Sequence, residues 1–272
     1  MINILYLHAG AELYGADIIL LQLLRGLDKT KFNPHVILPN YGPLVEELKA
    51  SGVTVTVKDY PILRRKYFNP KGMKEYFLGF NKACKEIINY CKDNDIQIIH
   101  SNTSAVLEGA YVARKLKLKN LWHIHETLTR PKLIFNFLAY IISRYAEKVV
   151  TVSKTTKKNW QDNKFFSKNP IKVIYNGVDN DKFKPNIQCE YIREELGIDK
   201  EDIVVGMIGR VNAIKGQSDL IQAMDKILEQ NERVKVVLVG GVFQGEEWRM
   251  ESLKKMVLDS PHSSRIIIED FR

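Results

Sequence analysis

Short apolar runs and longer amphipathic stretches take turns along the first 174 residues. Ile2–Leu7, His35–Pro39, Val53–Val57, Ile96–His100, Leu121–Ile124, Lys148–Val152 and Ile171–Ile174 are brief and rich in Val, Ile and Leu. Such runs predict strands, and VTVTV at Val53–Val57 does so doubly because it is β-branched and alternating. Between them lie Ala16–Leu27, Leu44–Ser51, Gly72–Asn94, Ala105–Leu116 and Leu133–Tyr145, and Ser153–Trp160 opens one more such segment. Their apolar residues recur at helical spacing, except that Ala16–Leu27 is apolar all round, as a buried helix would be.

Strict alternation of strand and helix implies a parallel sheet covered on both faces. Right-handed crossovers then give a doubly wound, Rossmann-like domain over residues 1–180. Turn residues Asn176, Gly177, Asp179, Asn180 and Pro185 break the rhythm. Asn176–Asp179 shapes an interdomain turn, and 181–202 reads as a linker. The alternation restarts with strands at Ile203–Ile208, Lys235–Val239 and Arg265–Glu269 and helices at Gly216–Glu229 and Glu246–Leu258. Three strands and two helices are about half of a doubly wound domain. The expected fold class is therefore α/β, with a second, incomplete Rossmann-like domain over 203–272.

Composition adds little: 45% apolar and 27% charged residues are ordinary for a globular chain. No segment approaches the roughly 18–20 unbroken apolar residues of a membrane span. MINILYLHAG reads as a first strand rather than a secretory leader. Cys84 and Cys91 share a helix face and Cys189 stands apart, which fits a reduced, cytoplasmic setting.

Charge changes the picture more. Met1–Lys184 carries 29 basic against 16 acidic residues, whereas the rest carries 12 against 16. A basic excess confined to one part suggests an anionic surface or ligand there, with a lysine-rich solvated face as the plain alternative. RRKYFNPK (Arg64–Lys71) and the apolar, basic-ended RPKLIFNFLAYIISR (Arg130–Arg144) are suited to a bilayer interface. A buried core helix explains the second equally well. The basic part contains no recognisable nucleic-acid module, so nucleic acid is not an expected partner.

In an open parallel sheet, ligands bind beyond the carboxyl ends of the strands. After Ile203–Ile208 come Gly209, Arg210 and Lys215-Gly216. Glycine lets backbone approach a ligand, a helix start presents free N–H groups, and two cations add charge. Together they describe a diphosphate site; a glycine turn with two solvated basic residues is the competing reading. Ser101-Asn102-Thr103-Ser104 follows another strand and either lines an acceptor site or caps the next helix. Asp17 stands where a helix cap is needed.

Five segments, VIYNGVDNDKF (173–183), VVGMIGRVNAIKG (204–216), VKVVLVGG (234–241), VVTVSKTTKKNW (149–160) and WHIHET (122–127), occur in an order and spacing that resembles the retaining GT-B glycosyltransferases of family 4. The resemblance implies two Rossmann-like domains facing across a cleft, the first binding the acceptor and the second a nucleoside-diphosphate sugar. It implies no metal and no cofactor. Carried over by motif, Arg210 and Lys215 hold the donor diphosphate, and the loops at Gly10 and Gly15 bring backbone to the donor. A second glycine of the family's pair is replaced by Ala16, which puts close backbone approach there in doubt. His125 falls where the family places a histidine near the transferred sugar, and Glu126 either bonds the sugar or caps a helix. The implied partners are a nucleotide sugar and a glycan or lipid-linked acceptor in cell-surface polysaccharide synthesis, with peripheral contact on an anionic inner membrane face.

The family's pattern runs on past Glu269–Arg272, through a pair of glutamates on the donor side and a helix returning to the first domain. The expectation is thus a chain truncated in its second domain, with impaired donor binding and an uncovered face open to self-association. The rival expectation is a non-catalytic remnant that binds acceptor or membrane as a scaffold.

Overall fold

The computed structural model describes residues 1–166, 170–185, 190–242 and 245–271. Cys189, residues 186–189 of the expected linker and Arg272 lie outside them. Contacts divide the chain into two units, Met1–Asp179 and Asn180–Arg272.

The first unit is built on seven strands: β1 (Ile2–Leu7), β2 (Phe32–Leu38), β3 (Thr54–Val57), β4 (Ile98–Ser101), β5 (Lys119–Ile124), β6 (Lys148–Thr151) and β7 (Ile171–Val173). They form one sheet of order β3-β2-β1-β4-β5-β6-β7, and every neighbouring pair is parallel. The intervening helices are α1 (Gly15–Arg25), α2 (Pro43–Ala50), α3 (Pro70–Asp93), α4 (Glu108–Leu116), α5 (Lys132–Tyr145) and α6 (Lys154–Gln161).

Side-chain alternation along the strands sorts the core onto two faces. Ile4 and Tyr6 of β1 pack with Leu20, Leu21 and Leu24 of α1 and Leu44, Val45 and Leu48 of α2. Leu5 and Leu7 point the other way, into Ala83, Cys84, Ile87 and Cys91 of α3 and Val112 and Ala113 of α4. Trp122 and Ile124 of β5 join α5 and α6 through Leu138, Ala139, Ile142 and Trp160. Apolar burial of this extent is the main favourable term for the fold, at roughly 25 cal/mol per Å². Cys84 and Cys91 are free and buried, and burial pushes the Cys91 thiol up to about 12.

Two boundaries differ from the sequence expectation. Strand β2 starts at Phe32 rather than His35 because Phe32, Asn33 and Pro34 pair with Ile2–Ile4 of β1. Pro34 is tolerated there because β3 pairs only from His35 onward, so no partner needs its missing N–H. Helix α4 begins at Glu108 with Leu107 as its N-cap, not at Ala105, so the Ser101–Ser104 cluster does not cap it.

The second unit contains α7 (Glu190–Glu195), β8 (Ile203–Ile208), α8 (Gln217–Gln230), β9 (Val234–Val239), α9 (Glu247–Leu258) and β10 (Ile266–Glu269). Its three strands are parallel in the order β10-β9-β8. The core joins Val234, Val236 and Leu238 to Ile221, Met224 and Leu228 of α8 and Met250, Leu253 and Val257 of α9. Helix α7 falls within the stretch read as linker. Its end is a glycine-closed turn: Gly197 has φ 62°, and the Ile198 N–H donates to the Arg193 carbonyl at 2.8 Å. Ile198 is buried, and Arg193 donates to the Asp199 carbonyl at 2.9 Å. One short turn with so few apolar residues carries too little periodicity to stand out among turn formers.

At the ends of β8 and β9 two glycines meet. A Cβ on Gly240 would lie 2.1 Å from the Gly209 carbonyl oxygen and 2.7 Å from its carbon. Gly240→Ala is expected to push the two loops apart and destabilise the protein by about 1–3 kcal/mol, as overpacking does. Thermal denaturation measures this; an unchanged melting temperature would show that the loops separate freely.

Glu108 is fully buried, and its carboxyl has no side-chain partner, only weak contact with the backbone N–H groups of Leu107 and Glu108. Burial pushes its carboxyl up to about 8, and its charge in turn raises the nearby Tyr60 and Tyr76 hydroxyls, whose own burial is the larger cause. Because the folded pKa lies above the unfolded one, the folded state holds the extra proton, and stability falls as pH rises from about 4.5 to 8. Glu108→Gln lacks this penalty. The stability difference between Glu108→Gln and the native chain should grow across that window, by up to ~1.4 kcal/mol per pH unit. Chemical denaturation at stepped pH checks this; a difference that stays flat with pH refutes it.

Candidate functional site

The order of the seven-stranded sheet reverses between β1 and β4, and the chain leaves these two neighbouring strands toward opposite faces, into α1 and α4. Such a switch point opens a crevice in a doubly wound sheet. The residues that follow β1, β4 and β5 are His8, Asn102 and His125, and on the pleat they share the face covered by α1. His8 is 2% exposed and Asp17 7%.

Helix α1 brings Asp17 to this place. One carboxyl oxygen, Oδ2, accepts the Tyr14 N–H at 2.9 Å across the first turn, where the helix dipole favours an anion. The other, Oδ1, lies 2.7 Å from Nε2 of His8. The His8 backbone is fixed by Tyr60, whose hydroxyl receives the His8 N–H at 3.1 Å and lies against the His8 and Ile37 carbonyls. The side-chain nitrogen of Asn102 faces Nδ1 of His8 at 3.1 Å, and its oxygen faces Nε2 of His125 at 3.3 Å. One unbroken line of polar contacts thus runs from the start of α1 through His8 and Asn102 to His125.

Beside it the imidazoles cluster with their planes tilted. The rings of His123 and His125 are 4.2 Å apart, those of His100 and His123 5.6 Å, and His100 lies 4.7 Å from Tyr6. Burial, with smaller contributions from neighbouring imidazoles, pushes His123 and His125 down to about 4 and His100 well below its ordinary value. Near neutral pH these three rings therefore carry no charge, and each acts as one donor and one acceptor.

Glu126 is spent on the protein. It accepts from the Thr103 hydroxyl at one oxygen; at the other it accepts from the Ser104 hydroxyl at 3.1 Å and the Ser104 and His125 N–H groups at 3.3 Å each. Trp122 Nε1 donates to the Thr103 carbonyl at 2.7 Å and Trp160 Nε1 to that of Glu126 at 2.9 Å. The carboxylate therefore straps the loop after β4 to the loop after β5.

Not every expected residue gathers at this point. Ser101 points to the opposite face, is fully buried, and lies 3.4 Å from Asn120 Oδ1. A Cβ on Gly109 would lie 2.2 Å from its hydroxyl, so Ser101 is packed under α4 and lines no open surface. Gly10 does stand beside the line of contacts, since a Cβ there would lie 3.6 Å from Asp17 Oδ1. Gly15 is the first residue of α1 and has open space around it. Ala16 is helical, so no positive φ is required of it.

In the second unit, Gly209, Arg210 and Lys215 occupy one loop between β8 and α8. Gly216 caps α8 with φ 82°, a conformation that glycine adopts without strain. Asn212 Oδ1 accepts the Ile214 and Lys215 N–H groups at 2.9 and 3.0 Å. Buried Gln217 donates from Nε2 to the Gly209 and Arg210 carbonyls at 3.1 Å each. The backbone is thus fastened at both ends, while the Lys215 side chain is exposed and its stem runs beside Gly209. Such a loop, with two cations and a helix start, suits an anion.

His8, His100 and Gln217 were missed in the sequence. A histidine one residue past a strand was the available signal for His8; nothing local marked Gln217, whose role depends on the fold of the loop.

Residues 14–182 match Glycosyltransferase Family 4, and residues 189–261 match Glycosyl transferases group 1. The chain is 31% identical over 166 residues to the uncharacterized glycosyltransferase MJ1607 of Methanocaldococcus jannaschii, covering 60% of this chain and 42% of that protein. It is 26% identical over 227 residues to a UDP-Gal:alpha-D-GlcNAc-diphosphoundecaprenol alpha-1,3-galactosyltransferase of Escherichia coli, covering 80% of this chain and 56% of the relative. It thus spans about half the length of these two relatives. Among solved structures, Anabaena HepE in complex with UDP-glucose superposes with a TM-score of 0.81 at 21% identity, over 100% of this chain and 70% of that one. That likeness gives the fold: the GT-B class of paired parallel α/β units. A match extending over residues 14–182 takes in more than half of the 272 residues, and the chain therefore belongs to glycosyltransferase family 4.

Proposed function

We propose that the chain serves a retaining glycosyl transfer, from a nucleoside-diphosphate sugar to a glycan or lipid-linked acceptor in cell-surface polysaccharide synthesis. The observation that carries this reading is the fastened loop of Gly209, Arg210 and Lys215 at the start of α8. In the reaction the bond between the anomeric carbon and the diphosphate oxygen breaks. A bond from an acceptor hydroxyl oxygen forms, and that hydroxyl's proton leaves with the diphosphate. The diphosphate gains negative charge in the transition state, and Arg210 and Lys215 supply the opposite charge without a proton transfer. His125, uncharged and tied to Asn102 at one nitrogen, offers the other to a sugar hydroxyl. Glu126 and Asn102 act by positioning, and Gly10 and Gly15 leave room for the donor.

The names of relatives support the ligand class without fixing it: the E. coli relative is named for a UDP-sugar donor and a diphosphoundecaprenol acceptor. Helix α5 supports contact with a membrane surface. Leu133, Phe137 and Tyr140 form one exposed stripe at helical spacing, flanked by exposed Arg130, Lys132 and Arg144. No described helix is long and apolar enough to cross a membrane. The proposed location is the cytoplasmic face.

Calorimetry with UDP- and GDP-sugars, and product analysis by NMR, test the reading. Arg210→Ala and Lys215→Ala are each expected to lower turnover by about 10²–10³-fold, the usual loss for a group that stabilises developing charge. Retention requires that the product keep the donor's anomeric configuration. Unchanged donor affinity and turnover in both variants would sink the assignment of the loop. Binding of acceptor with no sugar-nucleotide turnover under any condition would favour the scaffold reading.

Vesicle flotation tests the helix separately. Leu133→Ser with Phe137→Ser should abolish co-flotation with anionic vesicles, and equal recovery of native and variant chains would refute membrane contact.

A further inference from the structure

Each link between α1 and His125 has a direction, because each group in it offers either a hydrogen or a lone pair. Asp17 accepts on both oxygens: from the Tyr14 N–H at 2.9 Å and from His8 Nε2 at 2.7 Å. The His8 proton therefore sits on Nε2. That leaves His8 Nδ1 as an acceptor, which is why the Asn102 amide nitrogen is the atom that faces it, at 3.1 Å. With its nitrogen so committed, Asn102 turns its oxygen to His125, and the contact at 3.3 Å requires a hydrogen on His125 Nε2. His125 is then left with a bare Nδ1. Four side chains, one on α1 and three in the turns after β1, β4 and β5, share one orientation, and among them Asp17 alone cannot reverse.

We infer that Asp17 is a positioning residue that sets the tautomer of His125, through His8 and Asn102, so that the ring presents an acceptor at Nδ1. The inference rests on the proposal that His125 meets the sugar, and it adds what His125 offers there: a lone pair for a hydroxyl donor. Burial protects the direction of the line. His8 and Asn102 are buried, so no solvent competes to scramble the direction.

Asp17→Asn is the discriminating change. Asparagine keeps the shape, and the Tyr14 N–H still selects its oxygen, so its NH₂ must turn to His8 Nε2. His8 must then carry its proton on Nδ1, Asn102 must flip, and His125 must move its proton from Nε2 to Nδ1. The ring would present a donor in place of an acceptor.

Long-range ¹H–¹⁵N correlation spectra of the ¹⁵N-histidine-labelled chain read both tautomers directly, with His125 and His8 assigned by single substitution. The native chain should show the proton on Nε2 in both rings, and Asp17→Asn should shift it to Nδ1 in both. Asn102→Ala should uncouple the two, so that Asp17→Asn then changes His8 alone. A native His125 protonated on Nδ1, a native His8 carrying both protons, or an unchanged His125 in a folded Asp17→Asn chain each overturns the inference. The native spectrum decides even if the variant fails to fold. Turnover separates this from the function it rests on. Asp17→Asn is expected to lower kcat about 10-fold, and to have no further effect once His125 is replaced by Ala. A tautomer switch with unaltered kcat would leave the relay standing and remove His125 from the transfer.

Discussion

The buried contact of 2.7 Å between His8 and Asp17 ties the end of the first strand to the start of the first helix. A parallel sheet creates the need for such a contact. Where its strand order reverses, the chain leaves β1 and β4 toward opposite faces, and polar side chains in those turns have no sheet partner. Each must find another or cost about 1–3 kcal/mol. Asp17 meets this need twice, capping α1 and bonding His8. Asn102 then spans the gap from His8 to His125, and the turns are joined in one array of directed contacts.

The fold was legible because it rests on long-range periodicity. VTVTV, the amphipathic Gly72–Asn94 and the restarted alternation after Asp202 each needed only apolar spacing to be read, and the parallel sheet followed from their order. The errors fell where local rules were overridden. Phe32–Pro34 lay outside the expected strand, yet pairing with β1 made it strand. Helix α7 hid among turn residues. The Ser101–Ser104 cluster looked like an acceptor-side lining or a cap, and the strand pleat instead sent Ser101 under α4 while Thr103 and Ser104 met Glu126.

Site residues divided along the same line. His125 and the Arg210–Lys215 loop were marked by motif, which records sequence neighbours. The partners that orient them come from distant segments: Asn102 stands 94 residues from His8 and 23 from His125. Gln217 fastens the loop only because the turn folds back over it, and Gly240 matters only because β9 runs beside β8. Side-chain direction within a network is a property of the assembled sheet, so no spacing rule could have revealed it.

Charge is the case in which the structure alters the meaning of a sequence feature. The basic excess of Met1–Lys184 invited a search for a cationic site in the first unit. The array at the switch point is of another kind. His100, His123 and His125 are held uncharged by burial, and the groups that orient the array are the carboxyls of Asp17 and Glu126. The lysines and arginines lie outward instead, on surfaces such as the flanks of α5. Chemistry and charge are therefore separated within the first unit. Its interior offers directed hydrogen bonds suited to neutral hydroxyls, and its exterior carries the cations. A buried cation at the switch point would defeat this arrangement, since it would repel protons from the imidazoles and favour anions over neutral hydroxyls.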